Sequence, residues 1–172
     1  MRTWVLITVP LILAGCSKSI DLHDATIDQF TAAAKEVRLQ KPGRWTVESR
    51  VTAMDLGTTD AAMAPMIRDQ AMQPHTVSIC VKKDQPNMMS VDQMQALKTM
   101  ACRIPHFTAK KGAIDGEIAC TAPNGTMTMN EQGTYTDETY DMHLAIKQAT
   151  QGQPTISTET QVKARRVGDC EN

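Results

Sequence analysis

The side chains with the greatest chemical potential in this 172-residue sequence carry sulfur: twelve methionines and five cysteines. Thioethers are soft ligands suited to Cu(I), and Met63, Met66, Met72, Met88, Met89, Met127 and Met129 fall in stretches read as loops or alternating strands. Exposed methionines can also scavenge oxidant by cycling through the sulfoxide. Against both roles stands packing, since a flexible thioether fills an irregular core or lines an adaptable apolar groove. Tight Met-x-x-Met spacing is confined to Met63 and Met66, which favours packing. The four histidines, His23, His75, His106 and His143, lie far apart and accompany no nucleophile motif. There is no Gly-x-Ser-x-Gly, no His-Glu-x-x-His and no phosphate-binding glycine loop, so no catalytic residue and no cofactor are assigned. Cys102, His106 and Cys120 match no zinc spacing, and no metal is expected. Asp137, Glu138 and Asp141 read as a solvated bend, because a calcium loop needs regularly spaced oxygen ligands around a central glycine.

The N-terminus sets an address. Arg2 precedes the uncharged run from Trp4 to Leu13, too short for a transmembrane helix, which takes about 20 apolar residues. The small residues that follow end on a cysteine, and Leu13-Ala14-Gly15-Cys16 resembles the lipobox of bacterial lipoproteins. That resemblance implies cleavage before Cys16, lipidation of its sulfur and acylation of the new N-terminus, with membrane attachment through Cys16. Several acyl chains exceed the two that stable anchoring requires. By the same analogy, Ser17 favours sorting to the outer membrane.

Setting Cys16 aside leaves Cys80, Cys102, Cys120 and Cys170, an even number in an exported and oxidising setting, and two disulfides are expected. The pairing of Cys80 with Cys102 and Cys120 with Cys170 is favoured, since each closes a substantial loop and the second fastens the C-terminus. Cys102 with Cys120 across one hairpin is the alternative.

The elements that position these groups follow from periodicity. A polar tether after Cys16 leads into an amphipathic helix from Asp24, with Ile27, Phe30, Ala34 and Val37 on one face and Thr26 and Gln29 as a capping box. A membrane-surface helix is the other reading, but its alanine-rich face and mixed charges favour packing. From Trp45 to Ala53 the period becomes two, a half-buried strand. Residues 57–73 read as a loop or lid, and His75 to Val81 as a second strand. Ser90 and Gln93 suggest a capping box for a short helix carrying Met94, Leu97 and Ala101. Five further strands follow over residues 102–109, 113–120, 126–135, 138–147 and 156–167, with Lys110-Lys111-Gly112 as a hairpin signal and Pro123-Asn124-Gly125 as a stronger turn, since Asn-Gly readily takes positive φ. On the third and fourth of these, Met127, Met129, Gly133 and Tyr135 share one face, as do Tyr140, Met142, Leu144 and Ile146.

The expected fold is mainly β: an antiparallel meander of about seven strands, curled or barrel-like, with an N-terminal helix and one short inserted helix. The expected organisation is a signal peptide over residues 1–15, a tether and helix over 16–40, and a β-rich domain over 41–172. A net charge of -1 and the lack of a basic run exclude a nucleic-acid binder. Aromatics make up only 3% of the chain, so the core relies on small aliphatic and thioether side chains supplemented by disulfides.

Lys41-Pro42-Gly43-Arg44-Trp45, the cysteines at 80, 102 and 120, Gly133-Thr134-Tyr135, and Arg166-Val167-Gly168-Asp169-Cys170 together resemble the bacterial envelope family known as domain of unknown function 3617. The resemblance spans about residues 40–170. It implies a secreted or lipid-anchored β-rich domain with paired cysteines and supplies no catalytic residue.

Two functional readings follow. In one, the curled sheet binds a small hydrophobic or lipid-like ligand against Met127, Met129, Met142 and Leu144. In the other, the chain is a tethered module of the periplasm that binds or inhibits another envelope protein.

Overall fold

The computed structural model describes residues 19–37, 39–57, 64–83 and 91–171. Among these residues eight strands form one antiparallel sheet: β1 (Ile20–Thr26), β2 (Gly43–Asp55), β3 (His75–Val81), β4 (Cys102–Lys110), β5 (Ala113–Ala122), β6 (Gly125–Tyr135), β7 (Thr139–Thr150) and β8 (Ile156–Gly168). Three helices accompany them: α1 (Ile27–Val37), α2 (Ala64–Ala71) and α3 (Val91–Thr99). The strand order is β1-β4-β5-β6-β7-β8-β2-β3, so β4 to β8 form the expected meander while the earlier strands flank it. The sheet curls without closing, leaving β1 and β3 as its edges.

One strand was not legible from periodicity. Ile20 to Thr26, expected as tether and helix start, pairs with β4 from Ile20 opposite Ala109 to Thr26 opposite Arg103. The inward alternation of Ile20 and Leu22 lasts only two steps before Asp24, at φ 49°, breaks the phase and turns Ala25 inward. The break faces Pro105, which has no N–H to give a ladder. Its other neighbour, β5, shifts register between Arg103 and His106 at the same place. Arg103 donates to the Asp24 carbonyl at 2.7 Å and secures the kink.

Helix α1 begins where its capping residues direct. The Thr26 N–H donates to Gln29 Oε1 at 2.8 Å, and the Gln29 N–H donates to Thr26 Oγ1 at 3.2 Å, the reciprocal bonds of a capping box. Ile27, Phe30 and Ala34 then turn onto β1 and β4, where the Phe30 and Phe107 rings meet edge to face at 4.9 Å. Helix α3 lies across α1 and β4 and buries Leu97. The stretch read as a loop or lid over residues 57–73 contains α2, whose Met66 is 64% exposed. Ser90, half of the second expected capping box, lies outside the described residues.

The two hairpins flanking β5 use different chemistry. Lys111 and Gly112, both at positive φ, join β4 to β5 in the mirror-image turn that suits strand twist. The β5–β6 turn is made by Pro123 and Asn124, with Gly125 already paired to Ala122, so the expected positive-φ Asn-Gly turn is not used. Proline presets the φ of the first turn position and shifts the turn one residue toward the N-terminus.

The core occupies the inner face of the curled sheet, with α1 packed over its β1 and β4 part. Trp45, Ile104, Phe107, Ile114, Ile118, Val81, Tyr140 and Met142 are buried there, and the Trp45 and Tyr140 rings meet at 6.2 Å. The aromatics are few, yet four of them, Phe30, Phe107, Trp45 and Tyr140, form two edge-to-face pairs inside this core.

Candidate functional site: an acidic residue on the apolar sheet face

Strand register determines what faces what. One inner row crosses seven strands through the pairs Leu22–Phe107, Phe107–Gly116, Gly116–Glu131, Glu131–Leu144, Leu144–Thr160 and Thr160–Val51. The adjacent rows on β6 and β7 are Met129–Ile146 and Gly133–Met142, followed by Met127–Gln148. The structure thus gathers Met127, Met129, Met142 and Leu144 on one face of two neighbouring strands. Met142 is buried, while Met127, Met129, Leu144 and Ile146 are half-buried and form the open continuation of the core.

In the middle of this face stands Glu131, the only charged residue in the inner phase of β4 to β7. Its carboxylate lies over Gly116, where a β-carbon would stand 3.4 Å from Glu131 Oε1 and 2.6 Å from the Phe107 ring. The absence of a side chain at Gly116 makes room for both neighbours. Glu131 has no hydrogen-bond or ion-pair partner among the described residues, and burial among apolar atoms pushes its carboxyl up to about 7. The nearby Tyr140 phenol is raised chiefly by burial, an effect opposed by a hydrogen bond from Gln40 and reinforced by the charges of Tyr135 and Glu131. Gln40 is itself buried, and its Oε1 has no partner among the described residues. Glu131 was missed in the sequence although a signal was there: it interrupts the apolar alternation Met127, Met129, Gly133, Tyr135 at the one position where the phase demands an inward side chain.

The face opens at one end into a cavity of about 210 Å³, lined among others by Met100, Cys120, Ala122, Met127 and Gln148. Cys120 belongs to a cross-strand disulfide with Cys102, directly opposite it in the β4–β5 ladder. The other bridge joins Cys80 to Cys170. The favoured pairing of Cys80 with Cys102 and Cys120 with Cys170 is therefore corrected. The hairpin brings residues 102 and 120 together, and β2, between β3 and β8, places the C-terminus beside the end of β3. Sulfur geometry also separates the zinc candidates: Cys102 and Cys120 bond to each other on the inner face, whereas His106 faces outward.

The outer face is a solvated polar ladder. His106 contacts Asp115 Oδ1 at 3.0 Å, and Gln132 donates to Asp115 Oδ2 at 2.7 Å. His143 lies 3.6 Å from Glu159, and His23 3.1 Å from Asp21, all exposed. Among the described residues, these histidines pair with carboxylates and with no serine or cysteine. Among the methionines weighed for Cu(I), Met63, Met88 and Met89 lie outside the described residues. Met66 and Met72 belong to α2 and the turn after it, while Met127 and Met129 belong to β6.

The distant sequence motifs Pro42-Gly43-Arg44-Trp45 and Arg166-Val167-Gly168-Asp169-Cys170 meet in space. Arg166 donates through Nε to the Pro42 carbonyl at 2.9 Å and through Nη2 to Asp169. Arg44 pairs with Glu171 at 2.7 Å, and Trp45 Nε1 donates to the Lys41 carbonyl at 3.0 Å. Lys41 reaches the β6–β7 turn, with Nζ 2.8 Å from Asp137 and 3.1 Å from Glu138; these bonds, Asp137 first, raise its pKa. The acidic bend thus holds a lysine, while Asp141 turns to Gln161 and Lys163. Together with the Cys80–Cys170 bridge, these contacts form a clasp that joins both ends of the domain.

Cys16 and the whole N-terminal address lie outside the described residues. Among the described residues no helix is long and apolar enough to cross a membrane. Comparison with curated proteins and with solved structures finds no match. The family described as protein of unknown function DUF3617 matches residues 40–170, from the clasp's first strand to its last cysteine, and the chain belongs to that family.

Proposed function

We propose that the chain is a lipid-anchored envelope protein, attached through Cys16 and facing the periplasm from the outer membrane, that binds a small hydrophobic or lipid-like molecule on the inner face of its sheet. The observation that carries this reading is the convergence of Met127, Met129, Met142 and Leu144 on one face of β6 and β7, continuous with the cavity of about 210 Å³ at Met127. Unbranched thioethers make a compliant wall that adapts to ligands of differing shape. The lipobox-like Leu13-Ala14-Gly15-Cys16 supports the anchor. Native mass spectrometry of the chain released from producing-cell envelopes tests the reading. A co-purified apolar small molecule, lost in a Met127→Asp, Leu144→Asp variant, is the expected result. A bare chain that also fails to bind an added hydrophobic dye overturns it.

The second reading, a tethered module that binds or inhibits an envelope protein, rests on the outer edge of β3, which pairs with no further strand among the described residues and where Val77 is 54% exposed. An open edge invites pairing with another chain's strand. A protein partner crosslinked at residue 77 in the envelope, with no bound small molecule, would favour it.

A further inference from the structure

We infer that the ligand of the inner face is a cationic amphiphile, a primary or quaternary amine on an alkyl tail, with Glu131 as the counter-ion of its head. This rests on the apolar-groove reading and adds the head group. The argument begins with an imbalance. Glu131 is set among Phe107, Met129, Met142 and Leu144, and no described residue supplies a cation or a hydrogen-bond donor to it. A carboxylate in such a setting costs free energy unless an opposite charge joins it. The described residues do not provide one. Arg166, the only inner-facing lysine or arginine of β4 to β8, is held by Pro42 and Asp169 in the clasp. The titratable neighbour whose charge acts with that of Glu131 among the described residues is Tyr140, and it is an acid.

The spacing suits an amphiphile. Met127, which lines the cavity, lies four residues from Glu131 on the same strand face. At about 3.3 Å per residue the two are about 13 Å apart, the reach of a medium-length alkyl chain laid across Met129. The tail would lie toward the cavity and the amine would meet the carboxylate. An anionic head at the same place would meet a like charge, and a neutral head would leave the charge of Glu131 unbalanced.

The test uses three probes with the same tail: decylamine, decanol and decanoate. Each is titrated at pH 8 into the purified full-length protein and into Glu131→Gln, with both forms checked for folding by circular dichroism. The expected result is decylamine binding at least ten-fold more tightly than decanol, with decanoate weakest. In Glu131→Gln, decylamine affinity should fall to the decanol level while decanol affinity is retained. Equal binding of decylamine and decanol to the natural chain would overturn the cation inference and leave the apolar groove standing. Failure of all three probes to bind would overturn both. The comparison within the natural chain decides the matter even if the variant folds poorly.

Discussion

Gly43 and Gly168 pass so closely that a β-carbon on Gly43 would stand 2.5 Å from the Gly168 carbonyl oxygen and 2.6 Å from Arg166 Nε. Gly43 also has φ 143°, a backbone conformation that side chains other than glycine rarely adopt. The Pro-Gly-x-Trp and Gly-Asp-Cys stretches are therefore the two halves of one contact. Gly43→Ala should cost at least about 2 kcal/mol through strain and displacement of the Arg166 guanidinium. Gly152→Ala is the comparison, because Gly152 also has positive φ but nothing lies near its missing β-carbon. That change should cost only about 1 kcal/mol. Urea unfolding midpoints of the two variants, equal within error, would refute the clasp.

The disulfides differ in the loop they close. Cys80–Cys170 spans 90 residues and Cys102–Cys120 spans 18. Loop-closure entropy assigns about 4.6 kcal/mol to the first and about 3.2 kcal/mol to the second. The Cys80→Ser, Cys170→Ser double variant should accordingly be less stable than the Cys102→Ser, Cys120→Ser one. Mapping of unreduced peptides supplies the connectivity directly, and a Cys120–Cys170 peptide would contradict the fold.

Much of this architecture could be read in the residues because it rests on local rules. The strands from Trp45 onward announce themselves by alternation, and Thr26 with Gln29 announces the start of α1. What escaped depends on distant partners. Strand β1 needs β4 beside it, and its pattern is cut short by Asp24 after only two alternations. The disulfide pairing depends on β2 lying between β3 and β8, which no loop length reveals. The methionines and Leu144 were legible as a face, whereas Glu131 was passed over because a charge in an apolar phase counts against the pattern that finds strands. Such a local conflict is where function is to be sought.

The capping box gives a test of local encoding. Thr26→Ala removes the acceptor for the Gln29 N–H and should destabilise the protein by about 1 kcal/mol. Gln29→Ala removes the reciprocal acceptor, and a double-mutant cycle should show coupling of about 0.5 kcal/mol or more between the two positions. Strict additivity in thermal unfolding would mean that the two bonds form independently of each other.

Glu131 makes stability depend on pH with a definite sign. Its carboxyl titrates at about 7 in the folded chain and near 4.5 when exposed, so the folded state holds its proton more tightly. Below about 4.5 both states are protonated and the residue is neutral in effect. As pH rises from there through 7, the unfolded state loses its proton first, and folding is progressively penalised. The penalty at pH 8 should be on the order of 2 kcal/mol after allowance for the residue's partial exposure. Glu131→Gln should therefore be more stable than the natural chain at pH 8, equal to it near pH 4, and flatter between. Unfolding curves collected across that range measure the difference, and a carbon-13 titration of the Glu131 carboxyl should place its midpoint near 7. A midpoint near the ordinary glutamate value would show that water reaches the carboxylate freely, and the apolar face would then impose no demand for a counter-ion.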